Sequence, residues 1–379
     1  MTQAPNRPSG PPRRGWVIGR VAGAPLILTP SWLLAIVAMT VLFTPSVRSS
    51  TGLSGGAVVV LAFAFVALLF GSVLLHELAH GLVARRRGLQ PTSFELTLWG
   101  GQTTFTSQPF SPGTSALVAV AGPVTNLVLG LAFWGVSLLV PGGSLAAWLA
   151  WSGAAANAFV GLFNLLPGLP LDGGQLVEAA VWAATRDRAR GAIAAGWAGR
   201  VVAGGLVLWA LGPPLLAGSA PSTSNVIWTV LIGMFLWSGA SAALTGARRQ
   251  RAVGALTIAA VGRPAVGVGH LVTVAQAAAA AAAVGASEVV IVAADGRPAA
   301  YVDVAAAASV PRQTAAATLV TAVSVPLPSG AVVGADLVGE PLLAALGEAS
   351  RLSPVLVALR DGHVVALVRT ADVLAAIRL

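Results

Sequence analysis

Residues 57–75 contain no charged side chain, and a helix that crosses a bilayer needs about 20 apolar residues. Inside lipid, only helices and closed barrels satisfy their own backbone polar groups. This run is therefore expected to fold as a membrane-spanning helix. It leads directly into His76-Glu77-Leu-Ala-His80. Positions i and i+4 share one helix face, so the two imidazoles can address a single ion with Glu77 beside them. That pattern suits a zinc hydrolase. Its setting is costly for ionisable groups, which at membrane depth default to a functional reading.

The rest of the chain has the same character. Of 379 residues, 56% are apolar and 9% charged, with a mean hydropathy of +0.83. Soluble domains carry about 25% charged residues, so the expected class is a multi-span α-helical membrane protein. There is no cysteine, which excludes disulfides and thiolate ligands and leaves His, Asp and Glu to hold any metal. The net charge of +9 does not point to nucleic acid, because no basic stripe with interleaved aromatics exists. Instead the Arg residues cluster at the ends of apolar runs, as the positive-inside rule requires.

Six spans are expected, at about 26–43, 57–84, 114–140, 145–184 (interrupted), 192–217 and 226–247. Arg85-Arg86-Arg87, then Arg186, Arg188 and Arg190, then Arg248, Arg249 and Arg251 all fall on one side of the membrane in this arrangement. The expected location is the cell membrane, multi-pass, with both ends cytoplasmic. Residues 1–25 read as a disordered tail and 44–56 as an external loop with a single Arg48. Residues 92–106 are rich in β-formers and hold Gly100-Gly101, which predicts a small β-hairpin or sheet at the cytoplasmic face. Arg200 is the one awkward cation, able to snorkel or to face the bundle interior.

After the membrane part (26–247), the chain changes to short apolar runs with interspersed acids. Residues 288–305 echo 354–373, each reading as strand, Asp-Gly turn, strand and short helix. Helices at about 274–284 and 341–349 precede the two copies. A soluble α/β tandem repeat is expected over 253–379, its halves at about 253–311 and 318–379.

A hydrolytic zinc site wants three protein ligands and an open position. The membrane half contains only His76 and His80 as histidines, and few acids. Asp172 is the natural third ligand, in the Pro/Gly-interrupted stretch Asn164-Leu-Leu-Pro-Gly-Leu-Pro-Leu-Asp172-Gly-Gly174. It could alternatively cap a helix starting at Gly173. Glu77 is the expected proton carrier. Asn126 and Asn164 are both candidates to donate to a developing oxyanion, Asn126 alternatively bridging helices. Glu178 is expected near the interface rather than in the chemistry. An exposed strand edge near Gly100 and Gly101 would pair with an unwound substrate segment.

These residues resemble the site-2 protease family of intramembrane zinc metalloproteases. The resemblance rests on HELAH at 76–80, on residues 164–174 as an N-x-x-P-x-x-P-x-D-G motif, and on Ala121-Gly-Pro-Val-Thr-Asn126 as a GPxxN segment. It implies one zinc per chain held by His76, His80 and Asp172, with Glu77 as the acid/base. The implied activity is cleavage within or near transmembrane segments of membrane-bound regulatory proteins, that is, regulated intramembrane proteolysis.

The C-terminal repeat resembles a pair of CBS modules. Such pairs imply dimerisation, docking or adenine-nucleotide binding through G-x-x-[ST]-x-x-D. Here residues 366–372 keep only Asp372 of that motif, and residues 300–306 keep neither polar position, so no nucleotide-binding residue is assigned. The alternative reading is a transporter or channel regulated by CBS modules, which accounts for the spans and the repeat but not for HELAH with an intramembrane Asp.

Overall fold

The computed structural model describes residues 15–97, 100–105 and 111–377. The chain divides into two compact units, one ending at Leu244 and the other beginning at Thr245.

The first unit opens with β1 (Trp16–Val21) and β2 (Ala24–Leu28), joined by Ala22 and Gly23. Both turn residues have positive φ, at 54° and 87°, the hairpin turn whose twist matches its strands. The tail expected over 1–25 therefore becomes strand from Trp16, and residues 1–14 lie outside the described part. Trp16, Ile18 and Arg20 alternate with Val17, Gly19 and Val21, so apolar side chains fall on both faces, no polar/apolar alternation appears and the strand signal is faint.

Helix α1 (Pro30–Thr51) follows, then α2 (Gly55–Arg86). The loop expected over 44–56 is much shorter, because α1 continues through Pro45 and Arg48 to a left-handed C-cap at Gly52. The hydroxyls of Thr40, Thr44 and Thr51 donate to carbonyls four residues back, so these polar side chains are satisfied within the helix itself.

Next come β3 (Pro91–Thr97) and β4 (Gly100–Phe105). The expected hairpin is the antiparallel pair β3–β4, with Thr97 opposite Gly100; Trp99 and Thr106 of the expected segment lie outside the described residues. β2 joins β3 in parallel, giving a four-stranded sheet of order β1-β2-β3-β4 with β4 at one edge. Phe94 of β3 is 1% exposed and sits where any side chain at Gly81 of α2 would stand. The sheet therefore seats directly against the helix that carries HELAH.

Helices α3 (Pro112–Leu139), α4 (Leu145–Asn164), α5 (Asp172–Thr185), α6 (Arg188–Leu216) and α7 (Thr223–Gly254) complete the bundle. Among the described residues six helices are long and apolar enough to cross a membrane: α1, α2, α3, α4, α6 and α7. The interrupted fourth run splits at the Pro/Gly stretch into α4 and the short α5. Leu171 is at the N-cap position of α5 and Asp172 is its first helical residue, so Asp172 does not cap the helix, which has no side-chain cap.

The second unit is the expected α/β tandem repeat. After α8 (Ile258–Val261), its first half runs β5 (Gly262–Gly269), α9 (Val274–Val284), β6 (Glu288–Val292), β7 (Pro298–Val302) and α10 (Val304–Ser309). Between the halves lies β8 (Ser324–Pro326). The second half runs β9 (Val332–Gly334), α11 (Gly339–Ala349), β10 (Val355–Arg360), β11 (His363–Arg369) and α12 (Thr370–Ile377). In each half a strand pairs in parallel with the strand after its helix, β5 with β6 and β9 with β10. The halves join edge to edge through β5 and β11 into one sheet of order β8-β7-β6-β5-β11-β10-β9. The repeat is built on local signals. α9 starts at a capping box of Thr273 and Gln276, and Asp361-Gly362 turns with φ of 50° and 79°.

Candidate metal centre

The i, i+4 spacing on α2 stacks His76 and His80 edge to face with ring centroids 4.7 Å apart. The break after α4 turns the chain so that Asp172, at the start of α5, meets them. Asp172 Oδ2 lies 3.1 Å from His76 Nε2 and 3.4 Å from His80 Nε2. All three residues are buried, between 6% and 7% exposed. Two glycines make the turn possible. Side chains at Gly173 and Gly174 would collide with the backbone of residues 165–169.

The hydrogen bonds around these residues decide which ring nitrogens carry protons. His80 Nδ1–H donates to the Val118 carbonyl at 2.7 Å, which can only accept. For His76 the polarity is set three residues away. The Gly153 carbonyl accepts from Asn157 Nδ2 at 2.9 Å, and the same amide donates to Ser72 Oγ at 3.1 Å. Asn157 Oδ1 must then accept from Asn126 Nδ2, 2.9 Å away. That leaves Asn126 Oδ1 to accept from His76 Nδ1–H.

In the neutral rings that a metal needs, this leaves both Nε2 atoms with lone pairs, and both face a carboxylate oxygen. Gln175 Nε2 donates to Asp172 Oδ1 at 3.3 Å, whereas the buried Oδ2 has no hydrogen-bond donor. These three potential ligand atoms lie within 4.8 Å of one another, close enough for one cation to join them. The donor set, two imidazoles and a carboxylate, suits zinc. Gly122 of α3 lies against the pair, and any side chain there would strike both Nε2 atoms.

Glu77 sits beside the cluster in a different environment. Thr103 of β4 donates to its carboxylate Oε2 at 3.0 Å and lies 3.2 Å from its backbone carbonyl. The Cα of Gly101 is so close that a side chain would overlap Glu77. The edge strand thus holds the carboxylate against a cavity of about 690 Å³, whose lining includes His76, Glu77, His80, Gln102, Asn164 and Asp172. Loss of a hydrogen bond to a charged group costs about 1.5–3 kcal/mol, so the orientation of Glu77 depends on β4.

Of the residues singled out by sequence, the structure brings together His76, Glu77, His80, Asp172, Gly101 and Asn164 around this cavity. Gly100 begins β4 opposite Thr97. Asn126 does not face the cavity. It is 0% exposed, with both ends of its amide engaged, so it orients His76 and is unavailable to an oxyanion. Asn164 lines the cavity, with Nδ2 donating to Val160 O at 2.9 Å. Glu178 stands apart from the cluster in an ion pair with Arg188 at 2.7 Å.

Sequence reasoning passed over Ser72, Asn157, Gln175, Thr103 and Gly122. An Asn in the middle of the apolar run of α4 was the available signal for Asn157, since a buried amide needs partners. The others depend on which elements meet.

Comparison with known proteins points in one direction. The sequence model of peptidase family M50 matches residues 64–150 and 143–208. Rip3 of Mycobacterium tuberculosis, provisionally named a zinc metalloprotease, is 38% identical over 231 residues, 59% of this chain and 57% of its own. MJ0611 of Methanocaldococcus jannaschii, likewise provisionally named, is 30% identical over 137 residues, 31% of this chain and 72% of its own. The chain thus spans a little under six-tenths of the length of Rip3. Among solved structures it is similar to the site-2 protease from Methanocaldococcus jannaschii, at 24% identity and a TM-score of 0.43, covering 61% of this chain and 95% of that one.

Proposed function

The chain belongs to peptidase family M50, and from that membership we propose that it is an intramembrane zinc metalloprotease. Its substrates are membrane-bound regulatory proteins, cut within or near a transmembrane segment. The observation that carries this reading is the convergence of His76 Nε2 and His80 Nε2 on the buried Oδ2 of Asp172. A transporter or channel gives no reason to bury two imidazoles and a carboxylate together beside a second carboxylate that lines a cavity.

His76, His80 and Asp172 hold one zinc per chain. A zinc so held supplies Lewis acidity, polarising a carbonyl and making water more acidic. Glu77 accepts a proton from the attacking water and delivers it to the leaving amine. Thr103 keeps the Glu77 carboxylate turned toward the cavity. Asn164 is better placed than Asn126 to donate to the oxyanion, because it lines the cavity. Substrate is held in extended form along β4, whose outer edge near Gly100 and Gly101 is unpaired in the four-stranded sheet.

The protein is multi-pass in the cell membrane, with its N-terminus and the C-terminal unit on the cytoplasmic side. The C-terminal unit is a CBS pair that serves dimerisation or docking.

The test is cleavage of a model transmembrane substrate by the reconstituted full-length protein. Glu77→Gln keeps the shape of the side chain and removes its basicity. We expect a loss of at least 100-fold in kcat, the low end for general acid–base catalysis, with metal content unchanged. Equal rates for the two proteins would end the protease reading.

A further inference from the structure

Arg200 is a permanent cation in a place that should not hold one. It lies about 18 Å along α6 from Arg188, at 1.5 Å per residue. α6 has 29 residues, about 43 Å at that rise, and overruns a hydrocarbon core of about 30 Å. Its first turns therefore lie outside the core, and Arg200 falls within the leaflet nearest its Arg-rich end. Arg cannot discharge by losing a proton.

Its neighbours are unusual. The guanidinium lies 5.0 Å from the ring of Trp197 and 5.0 Å from that of Trp237 on α7. Nη2 donates to Ser241 Oγ at 3.1 Å. Nε is buried with no acceptor, and no carboxylate pairs with the group among the described residues. Trp197 and Trp237 are each 51% exposed, which in a membrane-spanning bundle means open to lipid. The side chain leans over Trp197, one turn toward the Arg-rich end of the helix, as helical side chains do. Beyond it, on the same helix, Val201, Leu208 and Trp209 are more than 70% exposed.

A cation with two aromatic faces and no carboxylate, above an apolar strip, is complementary to an anionic lipid. We propose that Trp197, Arg200 and Trp237 form a binding site for the phosphate of an anionic glycerophospholipid. The guanidinium takes the phosphate oxygens, while Ser241, whose hydroxyl accepts from Nη2 and donates to the Trp237 carbonyl at 2.7 Å, holds the group in place. The acyl chains run along the exposed residues of α6. The two indoles flank the headgroup at the interfacial level that Trp favours.

The site also lies where it could be felt by the cleft. Next to Arg200, Gly199 abuts the Leu169 carbonyl, and Gly239 of α7 abuts Pro170. Both contacts hold the loop that delivers Asp172, so a lipid bound here braces the outer side of the two helices that support it.

The full-length protein, purified in mild detergent and stripped of lipid, is titrated with phosphatidylglycerol, phosphatidylcholine and inorganic phosphate, with bound lipid read by native mass spectrometry. We expect retention of phosphatidylglycerol in preference to phosphatidylcholine. Arg200→Gln should weaken it at least tenfold, and Trp237→Leu, which keeps the charge, several-fold. Arg86→Gln, which removes an exposed cation at the end of α2, should leave it unchanged. If Arg200→Gln does not fold, Trp237→Leu carries the comparison. Wild-type affinity in both Arg200→Gln and Trp237→Leu would overturn the proposal. So would equal loss in Arg86→Gln, equal retention of the two lipids, or displacement by inorganic phosphate at the same concentration.

Discussion

Gly122 governs how near α3 comes to the two imidazoles, because a single added methyl would meet both Nε2 atoms. Gly122→Ala should therefore push the rings apart and lower zinc affinity more than tenfold, measured by competition with a chromogenic chelator. Wild-type affinity would show that the rings have another way to yield. Thr103 acts on the other half of the site. Thr103→Val keeps its shape and removes the donor to Glu77, so kcat should fall about tenfold, the equivalent of about 1.4 kcal/mol, with zinc content unchanged. Thr103→Ser should restore most of the rate, and a matching loss in the Ser variant would assign the effect to packing instead. The sequence displays only part of this. His76, Glu77 and His80 are legible because their relation is local, fixed by helix periodicity. Asp172 is legible by scarcity, since few acids share the membrane half. Asn126 stands in a readable motif, but its task is decided by Asn157 and the Gly153 carbonyl on another helix. Thr103 is one hydroxyl among several in a β-rich segment and gains meaning only when β4 meets α2.

Among the elements, the long helices are the most legible, since the bilayer imposes a length that apolar runs must match. The interruption before Asp172 is legible too, because prolines and paired glycines end helices. The strands fare differently. β3 and β4 show their β-formers, whereas β2 joins the sheet by pairing with β3 across the intervening α1 and α2, a long-range contact with no local mark, and β1 is added to it through the β1–β2 hairpin. The consequence for function lies in β4. As an edge strand against Glu77, it offers backbone groups to an unwound substrate, and its own side-chain-free stretch at Gly100-Gly101 lets a second strand approach. Methylating two successive backbone nitrogens of a model substrate beside its scissile bond removes the N–H groups such pairing needs, and we expect cleavage to slow at least tenfold. Methyl groups on the side chains at the same positions, which leave the N–H groups, should stay within twofold. Equal cleavage of the N-methylated substrate would exclude strand pairing as the mode of substrate binding.

At the scale of the whole molecule, two units built by different rules share one chain. The first is held in register by polar contacts inside an apolar bundle, the second by a hydrophobic core around Leu342, Leu356 and Leu367. The tandem repeat was legible because its Asp-Gly turns and alternating strands recur. The use made of its polar positions was not: Asp303 caps α10, and Asp372 pairs with Arg263 at 3.3 Å. The three proposed zinc ligands all lie in the first unit, which sets how the molecule should unfold. A ligand that binds only the native state stabilises it by about 2.7 kcal/mol when present at 100 times its dissociation constant. Calorimetry of the full-length protein should show two transitions, of which chelation lowers one by several degrees and leaves the other in place. In His76→Ala, which has lost a ligand, the sensitive transition should already be low and chelator should have no further effect. A single transition moved as a whole would mean that the units unfold together, and no shift in either would mean that the histidines and Asp172 hold no metal.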